Sequence, residues 1–167
     1  EDFKRATSCY EKAIEINPNF ADAYNNLGIV FKRLGKVQKA INCYKKTIQL
    51  QSNHADAHNN LGIVFKELGK IQEAISCFEK AIEIQPNLAN AHYNLGLVFK
   101  ELSESQKAIS CFKKTIQINP NYVGVHNNLG VTFNELGEYK KAINTYQKEL
   151  KLKPNSINAQ ANISSIY

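Results

Sequence analysis

The chain has 167 residues, 43% of them hydrophobic and 22% charged, with a formal net charge of +6. No apolar run approaches the roughly 18 residues needed to cross a bilayer, and no basic-then-apolar start marks a signal peptide. A membrane is therefore not an expected partner, the cytoplasm is the favoured compartment, and the four cysteines do not imply a disulfide framework.

The residues recur on a fixed beat. Gly28, Gly62, Gly96 and Gly130 are 34 apart, each preceded by leucine (Leu27, Leu61, Leu95, Leu129). Ala6, Ala40, Ala74, Ala108 and Ala142 keep the same interval, as do Pro18, Pro86, Pro120 and Pro154, with one beat skipped at Ser52. A period of this length indicates stacked repeats.

Taken in chain order, residues 1–20 read as the second helix of a truncated unit. Residues 21–54, 55–88, 89–122 and 123–156 read as four whole units, and 157–167 as the first helix of another. Both ends thus divide a repeat, as in a segment cut from a longer array, with the whole forming a single solenoid domain. In the second full unit, Ala57, Leu61, Val64, Phe65 and Leu68 keep helical spacing, and Gly69 is placed to end that helix. Ile71, Ala74, Ile75, Phe78, Ala81 and Ile82 mark a second helix that stops before Pro86. Asn19, Asn53, Asn87, Asn121 and Asn155 are expected to cap the helices that follow. The expected fold class is all-α, an α-solenoid of antiparallel helix pairs.

The period and the pattern Leu-Gly…Phe…Ala…Phe/Tyr…Ala…Pro resemble the tetratricopeptide repeat over the whole chain. The resemblance implies a right-handed superhelix whose first helices line a concave groove. The family's first-helix tryptophan site is occupied by Tyr24, His58, His92 and His126. Its small second-helix site holds Ala13, Thr47, Ala81, Thr115 and, unexpectedly, Glu149. The glycines are expected to let helices approach closely, with Phe31, Phe65, Phe99 and Phe133 filling the space beside them. In the third unit, Ser103 replaces the turn glycine of Gly35, Gly69 and Gly137, and Ser105 replaces an apolar residue; that hairpin is expected to open most easily.

Chemistry finds no footing. Cys9, Cys43, Cys77 and Cys111 hold one equivalent place per repeat, too far apart at helix-packing distances for a shared metal or a bridge. His58, His92 and His126 fail as ligands for the same reason. There is no serine–histidine–acid order, no phosphate loop and no strand before the Leu-Gly pairs. No catalytic residue, metal or cofactor is expected.

The expected binding face carries one unvarying column, Asn26, Asn60, Asn94, Asn128 and Asn162. Beside it lie Asn25, Asn59, Tyr93 and Asn127, an apolar column (Ile29, Ile63, Leu97, Val131), and Lys32, Lys66 and Lys100. A carboxamide donates and accepts together, so it suits both polar groups of a peptide backbone. The column is similar to the asparagine ladder of the O-linked N-acetylglucosamine transferase repeat domain, which implies main-chain grip on an extended segment of another protein. The amides could instead only bridge neighbouring helices; ligand contact is the preferred reading. An alternative function is the substrate-recognition part of a larger enzyme such as a protein O-glycosyltransferase.

Nucleic acid is an unlikely partner. Of the 21 basic residues, 15 lie on second helices or their tails, interspersed with Glu11, Glu73, Glu79 and Glu83, as on a solvated outer face. The apolar residues of the terminal helices (Phe3, Ala6, Tyr10; Ile157, Ala161, Ile166) suggest head-to-tail self-association of two copies.

Overall fold

A computed structural model describes residues 2–166. Glu1 and Tyr167, which fall in the expected terminal half-repeats, lie outside the described residues. The described residues form ten α-helices and no strand: α1 (Asp2–Ile16), α2 (Ala21–Arg33), α3 (Val37–Leu50), α4 (Ala55–Glu67), α5 (Ile71–Ile84), α6 (Ala89–Glu101), α7 (Ser105–Ile118), α8 (Val125–Glu135), α9 (Tyr139–Leu152) and α10 (Ile157–Ser164). The fold is the all-α array of helix pairs that the period demands. It divides into two compact units, Glu1–Pro86 and Asn87–Tyr167.

In the first unit the core joins Leu27 and Phe31 of α2, Ala40, Ile41, Cys43 and Tyr44 of α3, and Leu61 and Val64 of α4. Tyr10 and Ile14 of α1 pack against it, although no residue of α1 is fully buried. In the second unit the same positions recur as Leu95 and Phe99 of α6, Ala108, Ile109 and Phe112 of α7, and Leu129 and Thr132 of α8, all buried.

Each Leu-Gly glycine is a seat for an aromatic ring, but the ring comes from the second helix and not from Phe31, Phe65, Phe99 or Phe133. A Cβ built on Gly28, Gly62, Gly96 or Gly130 would lie 2.6, 2.8, 2.7 or 2.5 Å from the ring of Tyr44, Phe78, Phe112 or Tyr146. Carbon atoms in contact sit about 3.5–4.0 Å apart, so no side chain fits. The packing gain from these fully buried rings offsets the roughly 1 kcal/mol that glycine costs inside a helix.

The turns inside the pairs share one geometry. Gly35, Gly69 and Gly137 have φ of 69°, 72° and 73°, in the left-handed region. The Gly35 N–H donates to Lys32 O and the Lys36 N–H to Phe31 O, closing off the last carbonyls of α2. Ser103 adopts the same turn with φ 59°, and its neighbours repeat both hydrogen bonds, Ser103 to Lys100 O and Glu104 to Phe99 O. The third hairpin is therefore closed like the rest, at the steric cost a Cβ carries in that region.

The asparagines after each proline do not cap helices. Phe20, His54, Leu88, Gly124 and Ser156 occupy the N-cap positions of α2, α4, α6, α8 and α10. Only the His54 side chain among them accepts from the helix, through Nδ1 from the Ala57 N–H at 3.1 Å. The asparagine before the proline matters instead. Asn17 Oδ1 and Asn119 Oδ1 each accept the N–H two residues on, at 3.1 Å, and turn the chain.

The fourth repeat combines two departures from the pattern. Gly124 takes the left-handed conformation (φ 84°), so α8 starts at Val125 and is 11 residues long where α2, α4 and α6 have 13. The Gly124 N–H, left outside the helix, donates at 3.2 Å to Oε1 of Glu149, which is buried in the small-residue site of α9. The carboxylate gives the stranded N–H an acceptor, while its own Oε2 is buried with no hydrogen-bond partner among the described residues.

Three outcomes follow from this packing. Gly62→Val forces the Phe78 ring aside and is expected to lower unfolding free energy by about 2 kcal/mol, read from the urea midpoint at unchanged slope. Tyr146 is fully buried with its hydroxyl unpartnered among the described residues, and Phe78 and Phe112 fill the same role without one. Tyr146→Phe is expected to raise stability by about 1 kcal/mol, measured the same way. Ser103→Gly relieves the left-handed serine and is expected to add about 1 kcal/mol, with slower hydrogen exchange in the 99–108 hairpin; unchanged exchange there refutes the strain.

Candidate functional site

The residues on the non-core side of the first helices form the candidate site. In α2 the core stripe is Ala23, Leu27, Val30 and Phe31, all buried. One helical step away, Asn25 and Asn26 leave the helix in diverging directions, since adjacent residues are about 100° apart.

That divergence sets the site's chemistry. Asn60 of α4 donates through Nδ2 to Oδ1 of Asn25 at 3.1 Å. In the second unit Asn162 of α10 donates to Oδ1 of Asn127 at 3.2 Å, and Asn128 of α8 donates to the hydroxyl of Tyr93 at 2.9 Å. The bridging residues are 35 positions apart, one more than the repeat, because each pair joins a residue facing the next unit to one facing the previous unit.

Several expectations change as a result. Asn25 and Asn59 are only 7% and 4% exposed and do not present an amide to solvent. Tyr93 is not an open stacking platform. Its ring lies 4.8 Å from Tyr122 and 6.0 Å from Phe112, its hydroxyl receives Asn128, and burial pushes that hydroxyl's pKa up. The column Asn26, Asn60, Asn94, Asn128 and Asn162 is half-buried throughout, neither sealed nor open. Asn128 is committed further, because Nδ2 also reaches Gly124 O at 3.0 Å and Lys100 Nζ donates to Oδ1 at 3.1 Å. Lys32 is tied to Glu67 at 2.7 Å, and Lys66 is engaged as well. Ile29, Ile63, Leu97 and Val131 are half-buried beside the amides.

The bridge consumes one hydrogen of each donating amide. A carboxamide has two N–H groups and a carbonyl oxygen, so in Asn60 and Asn162 the oxygen and the second N–H lie outside it. The bond fixes which way the amide points. Electrostatics near the face are mild, with Asp22 held 3.0 Å from His54 Nε2.

Of the equivalent cysteines, Cys43 is buried, Cys77 and Cys111 are half-buried and Cys9 is exposed. His58 Nε2 lies 3.1 Å from Ser52 O, and Gln160 Nε2, at the equivalent place, donates to Pro154 O at 3.2 Å. Burial pushes the Cys43 and Cys77 thiols up to about 11, far from thiolate reactivity at neutral pH. Sequence reasoning missed the partner of each bridge. The signal was the doublets Asn25-Asn26, Asn59-Asn60 and Asn127-Asn128, with Tyr93-Asn94 in their place in the third repeat.

Comparison with known proteins agrees with this architecture. Tetratricopeptide repeat profiles match residues 19–87 and 53–121, and two further profiles of the same repeat match 1–35 and 111–144. No curated protein matches the chain. Among solved structures, the MamA protein is 29% identical with a TM-score of 0.81, covering 92% of this chain and 90% of its own. PilF of Pseudomonas aeruginosa is 23% identical, with a TM-score of 0.83 over 99% of this chain and 81% of that one. YrrB, described as a tetratricopeptide repeat protein with an unusual peptide-binding site, is 23% identical with a TM-score of 0.76, covering 96% and 82%. With the profiles spanning most of its length and the helix pairs in place, this chain belongs to the tetratricopeptide repeat family.

Proposed function

We propose that the chain is a non-catalytic interaction scaffold that holds an extended segment of another protein against the first-helix face of its units. The observation that carries this reading is the bridged amide. Asn60 is anchored through one hydrogen to Asn25, which orients its remaining polar atoms without a flexible side chain's entropy cost. Amides so placed pair with backbone N–H and C=O of a ligand irrespective of its side chains. The half-buried column Ile29, Ile63, Leu97 and Val131 adds apolar contact for alternate ligand side chains. YrrB supports the reading to the extent that the same fold carries a peptide site there. In this reading Asn25 and Asn59 act as supports, and Asn60, Asn94 and Asn162 as contacts. Lys32, Lys66 and Lys100 act through the bonds they already make. Substrate recognition for an attached enzyme, such as a protein O-glycosyltransferase, would use the same contacts.

Head-to-tail self-association through the terminal helices is a separate proposal, supported by the exposure of Phe3 (42%) on α1.

The deciding experiment is fluorescence-polarisation binding of an extended-peptide library to the wild type and to Asn60→Ala with Asn94→Ala. The double variant is expected to bind at least tenfold more weakly across unrelated peptide sequences, with a shallow salt dependence. Asn25→Ala removes the bridge while retaining the contact residue, and is expected to weaken binding by an intermediate factor, about threefold to fivefold, through the lost orientation of Asn60. Unchanged affinity in the double variant places the site elsewhere. A steep fall in affinity for single-stranded RNA with added salt, alongside no peptide binding, would make the partner a nucleic acid.

A further inference from the structure

A cavity of about 500 Å³ lies between α7, α8 and α9, on the second-helix side of the second unit. Its apolar surface comes from Ile116, Leu129 and Phe133 with the ring of His126. Four lysines line it, Lys113 from α7 and Lys140, Lys141 and Lys148 from α9, and no carboxylate does. Lys141 pairs with Glu138 and lies 5.6 Å from the centre of the Phe133 ring. The other three have no ion-pair partner among the described residues. His126 is 6% exposed, bonds the Pro120 carbonyl, and leaves Nδ1 buried and unpartnered.

The first unit contains the equivalent hollow 68 residues earlier, and it differs in an informative way. That cavity, about 350 Å³, is lined by Lys45, Ile48, His58, Leu61, Cys77 and Lys80 among others. Lys80 is neutralised by Glu83 at 2.8 Å. Gln72 and Glu73 stand in the sequence where α9 has Lys140 and Lys141. The repeat therefore supplies the hollow, and between α7, α8 and α9 it is larger and lined by four lysines where the first unit's hollow has two.

We propose that the α7–α8–α9 cavity binds a small amphipathic organic anion, an apolar body carrying a carboxylate, sulfonate or phosphate group. Its volume falls in the roughly 300–1,000 Å³ span of small-molecule sites. Unpaired ammonium groups over low-dielectric walls focus positive potential into the hollow, and the apolar wall rewards a ligand that covers it. A bare inorganic anion satisfies only the first term and an uncharged hydrocarbon only the second. The apolar wall and the lysines converge on this one hollow between three helices, so a compact molecule is the proposed occupant. This site is independent of the amide face.

The test titrates the full chain with 8-anilinonaphthalene-1-sulfonate, following dye fluorescence and backbone amide NMR shifts together. Saturable single-site binding is expected, with shifts concentrated in α7–α9. Lys113→Gln with Lys148→Gln should weaken it at least fivefold, while Lys45→Gln with Lys80→Gln leaves it within twofold. N-phenyl-1-naphthylamine, the uncharged analogue, should bind at least tenfold more weakly, and inorganic phosphate should compete only at far higher concentration. His126→Gln keeps the fold, because Gln160 makes the equivalent carbonyl bond naturally, and should weaken dye binding by removing the ring from the wall. Equal affinity for the uncharged analogue overturns the proposal, as do indifference to the α7 and α9 lysines and shifts centred outside these helices. An acidic decapeptide that displaces the dye more tightly than the dye itself binds assigns the site to a protein partner and overturns it equally.

Discussion

The contact on which the rest depends is the aromatic ring resting on a glycine backbone. In each of the four full repeats a Tyr or Phe of the second helix lies where a glycine Cβ of the first helix would be, and the built distances agree within a few tenths of an ångström, from 2.5 to 2.8 Å. The ring is fully buried, as is the alanine of the Ala40 column on the same helix, and the ring cannot change rotamer without opening the pair. Every other feature is positioned by this clamp: which stripe of the first helix faces inward, and which residues are left for partners.

Polar side chains do a different job. The amide bridges join first helices of successive repeats and are half-buried. A hydrogen bond of this kind contributes about 1 kcal/mol net, small beside the aromatic seats. Its effect is on direction, because a bonded amide has one orientation where a free one has many. The fourth repeat shows how far this accommodation can go. Loss of the acidic or amide residue at Gly124 shortens α8, and a buried carboxylate on α9 recovers the stranded N–H.

The division of labour between the two helices explains why candidate sites lie on both sides. First helices carry half-buried amides and half-buried Ile, Leu or Val on their non-core face. Second helices carry most of the lysines, and the hollows between consecutive second helices become charged or neutral according to which residues the repeat has drifted to. Lys140 and Lys141 against Gln72 and Glu73 is a difference of two side chains on an otherwise shared frame.

The helix pairs, their order and the seat glycines were legible in the sequence, because a period of 34 with Leu-Gly, Ala and Pro on fixed beats is a statement about local geometry and repeated packing. The turn at Ser103 was legible as a departure, and the hydrogen bonds to the Phe99 and Lys100 carbonyls hold a serine there in a conformation its own preference opposes. Which ring meets each glycine, and which asparagine caps or turns, depended on helix phase and on the exact start of each helix, and these were set by tertiary contact. The same holds for the amides. Their identity and spacing came from the chain alone, but whether Asn25 faces solvent or the next repeat is decided only when α4 packs beside α2, since burial belongs to neighbours that a one-dimensional pattern does not contain.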